Sequence, residues 1–587
     1  MKRFFHLLLV VGFSQAMLAQ SSSSVNLYLQ TSEMADIMIQ FEADHGILTR
    51  FYSTDGLRSQ TWQNNENDYR SPECRQRLMQ LINSYLQKME QMDFDRMQVN
   101  GRVDYILFKR NLSDELYQLN QEEQIYGQVT KFLPFSDRIF ALEKPRRRGE
   151  AVDGETVAKE LDNIRKDILL SMDQLKKSDS IEIKAARLAS NAVNGLKGVL
   201  QDYYLFYNGY DPMFSWWVPA TYAEVDSLLN LYAAQLKDKG RTTGAPKDDG
   251  SGIIGNPIGL EELKRQLKLE FIPYSPEELV EIANKEFAWC DAELLKASRE
   301  MGFGDNWKAA QEKVKQSWVP PGKQPEAMYD LYRQSVEFLK KNDLLTIPEL
   351  AEETWGMYMM SPERQKVSPF FLGGEWLIIS YPTNTMSYDD KMMSMRGNNP
   401  HFSRATVHHE LIAGHHLQGY MNERYKPYRH FHTPFWVEGN ALYWEMLLWD
   451  MKFPRSPEDR IGMLFWRMHR CARIIFSLNY HLGKWTPQQC IDFLVDRVGH
   501  ERANATGEVR RSFTGGYGPL YQIAYMLGGL QFMALKKELV DTGKMTYKQY
   551  HDAILHENNI PVEMLRAILI DQPLSRNFST EWRFYKK

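Results

Sequence analysis

Four of the chain's fourteen histidines fall within nine residues, His408-His409-Glu410-Leu411-Ile412-Ala413-Gly414-His415-His416, around a single glutamate. Neutral imidazoles are common zinc ligands, and a carboxylate beside them can take a proton from a metal-activated water. In the common arrangement, His-Glu-x-x-His, two histidines one helical turn apart share a face. Here His409-Glu410 is followed by His415 and His416, and position 413 is alanine. In an unbroken helix a residue six positions on is turned by about 240° and displaced by about 9 Å; one seven positions on shares the face but lies about 10 Å away. Neither spacing lets two histidines hold one ion, so a metal site requires the helix to bulge. Ala413-Gly414 is where a bulge would fit, because glycine tolerates unusual backbone angles. Spacing alone leaves two readings open, a metal site and a buried polar cluster.

A second segment, Trp436-Val437-Glu438-Gly439-Asn440-Ala441-Leu442-Tyr443-Trp444-Glu445, begins twenty residues after His416. Glu438 stands near the start of a predicted helix among apolar and aromatic neighbours, where an unpaired carboxylate would be expensive to bury. Glu445 is two turns on along the same face and could orient a ligating histidine. His408 and His416 are read as further supporting groups.

These segments need a scaffold, and apolar periodicity supplies helices. Stripes predict helices at 75–89, 103–119, 156–175, 181–204, 222–237, 276–300 and 325–342. After the His-rich segment they resume at 437–451, 457–479, 487–498, 519–539, 546–555 and 561–569. Between them Ser368–Tyr381 carries aromatic and β-branched residues around Gly373-Gly374, which reads as a hairpin and so as a small antiparallel sheet. The fold class is mainly α. Lys239–Pro257, rich in Gly, Asp, Lys and Pro, reads as an exposed loop. The N-terminus has the form of a secretory signal peptide: Lys2-Arg3, the apolar run Phe4–Phe13, then Ala16-Met17-Leu18-Ala19. Residues 1–19 are therefore expected to be removed and 20–34 to form a flexible leader. Residues 35–587 would form one helical domain, with two lobes allowed. Export to the periplasm or medium follows. No later run offers about 18 uninterrupted apolar residues, so no stable membrane span is expected in the mature chain. The net charge of −4 lacks the basic excess of a nucleic-acid binder. Of the four cysteines, Cys471 and Cys490 could pair, but buried free thiols are the simpler reading.

The motif residues resemble the bacterial "domain of unknown function 885" family, whose signature is His-Glu-x-x-Pro-Gly-His-His-Leu-Gln; here it stands as His409 to Gln418. The family's Glu-Gly-Trp-Ala-Leu-Tyr-x-Glu is similar to Glu438–Glu445. Arg470-x-x-Arg473 leading to His481, Ala524–Gly528, His551-Asp552 and Ile560-Pro561 match in the same order. Ala413 replaces the usual Pro and Asn440 the usual Trp. The family is grouped with the gluzincin peptidases, and more remotely resembles thermostable carboxypeptidases. The resemblance implies a zincin-like helical domain with one zinc in a deep groove, held by His409, His415 and Glu438, with Glu410 as base.

The expectation is thus a zinc metallopeptidase acting on a peptide. Tyr525, and next His481, are candidates to stabilise the oxyanion. Arg473 and Arg511 could hold a substrate carboxylate. Residues 369–381 could take an extended peptide by strand addition. Two rival readings stand beside this one: an exported helical binding protein with a relic His cluster, and a metal hydrolase of non-peptide amides or esters.

Overall fold

The structure, a computed structural model, describes residues 30–52, 70–241, 248–365, 368, 370–380, 382–514 and 516–585. The expected signal peptide and most of the expected leader lie outside the described residues. Of the leader's last residues, 30–34, Met34 is fully buried and Ser32 Oγ donates to Asp104 Oδ2 at 2.7 Å. Two compact units divide the chain: Asp36–Asp93 with Phe108–Ala245, and Phe94–Leu107 with Pro246–Lys587 and the residues up to Ala35.

The first unit is helical. Helices α1 (Gly154–Lys177), α2 (Ile183–Tyr207) and α3 (Pro219–Lys239) turn their apolar stripes inward. Leu161, Ile164, Ile168, Leu196 and Leu229 are fully buried among them. A two-residue parallel pair, β1 (Ile181–Glu182) and β2 (Gly240–Arg241), ties the start of α2 to the end of α3.

The second unit carries the histidine motif. Its frame is α4 (Pro276–Glu300), α5 (Pro400–Glu410), α6 (His415–Asn422), α7 (Pro434–Asp450), α8 (Pro457–His481), α9 (Arg502–Thr514), α10 (Tyr521–Leu539) and α11 (Tyr547–His556). Local sequence sets the starts. Ser275, Thr433 and Ser456 cap α4, α7 and α8 ahead of a proline that needs no hydrogen-bond partner, and Thr546 and Gln549 form a reciprocal capping box on α11. The core is built mainly from α4, α8 and α10, which supply Leu279, Leu294, Leu464, Ile474 and Met526. Within the predicted loop, Ile253 is buried in this core, because the chain turns inward there. Among the described residues no helix is long and apolar enough to cross a membrane.

The small sheet differs from the expected antiparallel hairpin. β3 (Gly356–Met359) and β4 (Trp376–Ile379) pair in parallel, with Gly356 opposite Trp376 and Met359 opposite Ile379. A parallel neighbour needs a crossover, and here the helical turn Pro362–Gln365 lies in it. The Gly373-Gly374 turn survives as one antiparallel bridge, Leu372 to Ile378. All four cysteines are buried free thiols.

Three contacts fix α5. Gly462 of α8 lies so close that an added Cβ would be 2.1 Å from His401 O. Phe402 stacks on Phe465 at 4.3 Å, and Trp466 Nε1 donates to Phe402 O at 3.1 Å.

His551 locks α11 to α7. Its Nδ1–H donates to Leu344 O at 2.6 Å, so Nε2 is left to accept from Tyr443 Oη at 2.8 Å. Burial pushes its pKa down to about 3, against about 6.5 in an unfolded chain. The unfolded state therefore binds the extra proton between those values, and stability rises with pH across that window. The stabilisation is complete above pH ~6.5 and is lost as the pH falls towards ~3, with a slope of up to about 1.4 kcal/mol per pH unit from this group. Thermal melts from pH 7 to pH 5 should show a steeper fall in Tm for the native chain than for His551→Gln.

Candidate metal centre

The sequence asks for a bulge at Ala413-Gly414; the structure instead breaks the helix. α5 ends at Glu410, residues 411–414 leave helical geometry, and α6 starts at His415. Leu411 (φ −113°, ψ −107°) and Gly414 (φ −93°, ψ −136°) make the two corners. Gly414 has a negative φ, so conformational freedom is not what requires it. Close approach is: an added Cβ would lie 1.7 Å from His409 O and 2.6 Å from His408 O. The break keeps its backbone partly paired, with Leu411 N–H donating to Val407 O at 3.0 Å and Gln418 N–H to Gly414 O at 2.9 Å.

Folding back in this way brings His415 beside His409, with ring centroids 4.8 Å apart and nearly perpendicular planes. Glu438 comes from α7. That helix packs on α10 through two glycines: a Cβ on Gly439 would lie 2.5 Å from Gly528 Cα, and one on Gly528 would lie 2.2 Å from Phe435 O. Glu438 Oε2 stands 3.4 Å from His409 Nε2 and 3.3 Å from His415 Nε2. One ligand atom from each residue lies within 4.8 Å of the others. A tetrahedral zinc with bonds of about 2.1 Å has ligand–ligand edges of about 3.4 Å. Glu438 Oε2 has no hydrogen-bond partner among the described residues, although it is buried. The donor set, the spacing and the orphaned oxygen all fit a divalent ion of the zinc type.

Neighbouring groups hold both imidazoles in place. His409 Nδ1 stands 2.7 Å from Glu445 Oε1, and Arg470 Nη2 donates to the same oxygen at 3.2 Å. His415 Nδ1 lies 3.2 Å from Gln418 Oε1, which can only accept, so Nδ1 carries a proton and Nε2 is the nitrogen turned to Glu438. Tyr521 Oη donates to Glu438 Oε1. Burial disfavours charge on His415, but the Glu438 carboxylate outweighs it and pushes the pKa up to about 9. Burial likewise works against ionised Glu438, and His415 and His409 hold it well below its usual range. The three groups are thus electrostatically matched, with protons where a cation would sit.

A cavity of about 510 Å³ opens on this triad. Glu410 lines it, against Gly373, where a Cβ would lie 2.5 Å from Glu410 Oε2. Segment 370–374 forms another part of its wall. Tyr525 lines it too, its ring parallel to His409 at 6.1 Å and under the guanidiniums of Arg473 (4.2 Å) and Arg470 (4.8 Å). Burial pushes the Tyr525 phenol up, so it stays a neutral donor. Arg473 and Arg511 also reach the cavity, both paired to Glu508.

Three expected site residues lie elsewhere. His481 ends α8 against Tyr480 and Phe513 and does not line the cavity; burial pushes its pKa down to about 4. His408, one position from His409 and so about 100° around the helix, packs edge-on against Phe453, and burial pushes its pKa down to about 3. His416 Nε2–H donates to Ala351 O at 2.8 Å and anchors α6 instead of supporting a ligand. Tyr521 and Glu508 are site residues that the sequence reading missed. Tyr521 sits one turn before Tyr525 on the same face, a spacing that could have paired them. Glu508 lies in no motif and carries no such signal.

The sequence profile described as "Bacterial protein of unknown function (DUF885)" matches residues 53–569. The chain belongs to the DUF885 family. No curated protein matches it. Two solved structures share the fold of this DUF885 protein. One is described as a "putative lipoprotein of unknown function" from Shewanella oneidensis, with 15% identity, TM-score 0.64, and coverage of 92% of this chain and 100% of that one. The other is described as a "putative lipoprotein" from Colwellia psychrerythraea, with 15% identity, TM-score 0.56, and coverage of 92% and 98%. In this DUF885 member the departure at position 440 has a structural role. Asn440 Oδ1 and Val437 O each accept from Gln418 Nε2 at 3.1 Å, which turns the Gln418 carbonyl towards His415.

Gly414→Ala should separate His409 from His415 and lower Tm, read by zinc titration and thermal melting. Glu445→Gln should weaken zinc binding by roughly 10- to 100-fold while the chain stays folded, checked by competition with a chromophoric chelator.

Proposed function

We propose that this DUF885 protein is a zinc-dependent hydrolase that cleaves peptide bonds, placing it with the gluzincin-like metallopeptidases. The observation that carries the reading is the convergence of His409 Nε2, His415 Nε2 and an orphaned Glu438 oxygen within 4.8 Å, in the wall of a cavity that also holds Glu410. His409, His415 and Glu438 would hold the ion, which when bound acidifies water and polarises a carbonyl. Glu410 accepts the proton of the attacking water on its carboxylate and delivers it to the leaving amine. Tyr525 offers a neutral phenol to the oxygen that gains charge. Glu445 and Tyr521 hold His409 and Glu438 in place. Export to the periplasm or medium suits this reading; the N-terminal sequence and the description of the two structural neighbours as lipoproteins support it.

The test is digestion of a peptide library read by mass spectrometry, with and without chelator, beside metal analysis of protein purified without added zinc. Stoichiometric zinc and chelator-sensitive cleavage are expected. Glu410→Gln should keep its zinc and lose roughly 10²- to 10⁴-fold in kcat/KM. Absence of zinc, or full activity in Glu410→Gln, would overturn the proposal.

A further inference from the structure

Large apolar side chains rarely stand exposed as a group, and a group of them marks a surface that something covers. In the first unit six such side chains, Leu205, Phe206, Tyr210, Met213, Trp216 and Trp217, gather around one turn. α2 ends at Tyr207, and the short helix Pro212–Trp217 follows. The turn is held from inside. Gly209 N–H donates to Ser215 Oγ at 2.8 Å, and Phe214 N–H donates to Asp211 Oδ1 at 2.8 Å. The Phe214 ring is fully buried, 5.8 Å from Tyr203 and 5.3 Å from Tyr207. Met213, Trp216 and Trp217, spaced i, i+3 and i+4, share a different face of the short helix. Tyr210 is 86% exposed and Trp216 79%, so these side chains protrude instead of lining a groove.

A basic run lies beside the turn. Lys144-Pro145-Arg146-Arg147-Arg148 ends the helix Ser136–Arg146. The Arg146 guanidinium is 5.5 Å from the centre of the Phe206 ring, and Tyr207 Oη donates to Glu150 O at 2.8 Å, which ties the run to the end of α2. Arg147 and Arg148 lie over the exposed Phe51 ring at 4.9 and 5.8 Å. Arg146 and Arg147 share Glu143, and Lys144 pairs with Glu73. Asp153 and Asp211 are occupied by the backbone N–H groups that they cap. Lys144 and Arg148 stand exposed, so positive charge faces solvent next to the aromatic side chains.

We infer that this turn and the basic run beside it form a docking face for a lipid bilayer that carries anionic headgroups. The inference is independent of the hydrolase reading. Trp and Tyr combine an apolar ring with a polar edge and so favour the boundary between headgroups and acyl chains. Protruding side chains suit a deformable layer, whereas a protein partner would have to supply a matching hollow for each of them. The charge fits as well: each Lys or Arg held near an anionic membrane surface strengthens binding by roughly fivefold. Such attachment uses surface residues alone and needs no spanning helix.

The experiment is flotation of the full chain with vesicles of phosphatidylcholine, or of equal parts phosphatidylcholine and phosphatidylglycerol. The native chain should float with the mixed vesicles, bind the neutral ones more weakly, and be loosened from the mixed ones by salt. Variants carry the same N-terminus, so any contribution from Phe4–Phe13 cancels in the comparison. Tyr210→Ser with Trp216→Ser should weaken binding by roughly 10-fold or more. Lys144→Gln with Arg148→Gln should weaken binding to the mixed vesicles by roughly 10- to 30-fold and leave the neutral ones unchanged. All four positions are exposed, so both variants should keep the native Tm. Failure of the native chain to float, equal binding of the two vesicle types, or binding unchanged in both folded variants would overturn the inference. A dimer in size-exclusion chromatography that Tyr210→Ser with Trp216→Ser abolishes would assign the face to a second copy of the chain and overturn it as well.

Discussion

The close approach of Gly414 to the carbonyl oxygens of His408 and His409 is the constraint on which the candidate centre depends. A helix carries its side chains outward at fixed angular steps, and six positions is the wrong step for two histidines that must converge. The chain resolves this by ending one helix and starting another within four residues. The turn is tight enough that the second helix starts against the last carbonyls of the first. No side chain fits at that point, because any Cβ would occupy the space of the His409 carbonyl oxygen. The same packing leaves Glu410 at the helix end facing the cavity, against Gly373, where the absence of a side chain again makes room.

The second dependence is electrostatic. Two histidines, three buried carboxylates and a cluster of arginines share a small volume. Removing a charge from water is unfavourable unless a partner completes it. Each group finds that partner nearby: Glu438 among His409, His415 and Tyr521, Glu445 between His409 and Arg470, Glu508 between Arg473 and Arg511. The imidazoles are consequently fixed with Nδ1 towards an oxygen and Nε2 towards the shared space. The His408 ring, one residue away, has no such partner among the described residues and is held neutral against Phe453. Neighbouring histidines therefore play opposite roles for a reason that lies in helical phase.

The scaffold behind the site works by exclusion of bulk. Gly439 against Gly528 lets α7 and α10 approach at backbone distance, which brings Glu438 on one helix to Tyr521 on the other. Gly462 does the same between α8 and the start of α5. Around these contacts the core is packed with large side chains, Trp436 and Phe402 among them, both essentially inaccessible. The site draws on α5 to α10, and the crossings of α7 with α10 and of α5 with α8 are set by small residues that tolerate no enlargement.

The sequence by itself determined most of the helices; the grouping of His409, His415 and Glu438 was what the family resemblance implied. Apolar stripes located α4 to the residue and α7, α8 and α10 to within about three residues, since burial of one face leaves a period that local sequence displays. It determined that His409 and His415 could meet only if the helix bulged at Ala413-Gly414, and that Glu445 lay on the same face as Glu438. Only the tertiary structure decided the rest. It replaced the bulge with a break, because the contact that limits Gly414 is with a backbone oxygen that no pattern encodes. It made the small sheet parallel, since the partner of β4 lies across a crossover instead of across the Gly373-Gly374 turn. It removed His408, His416 and His481 from the site and brought in Tyr521 and Glu508, whose partners are distant in the chain. Periodicity reports which face of an element is buried; it carries no record of which other element will cover that face, and the charges in this cavity are paired almost entirely across such crossings.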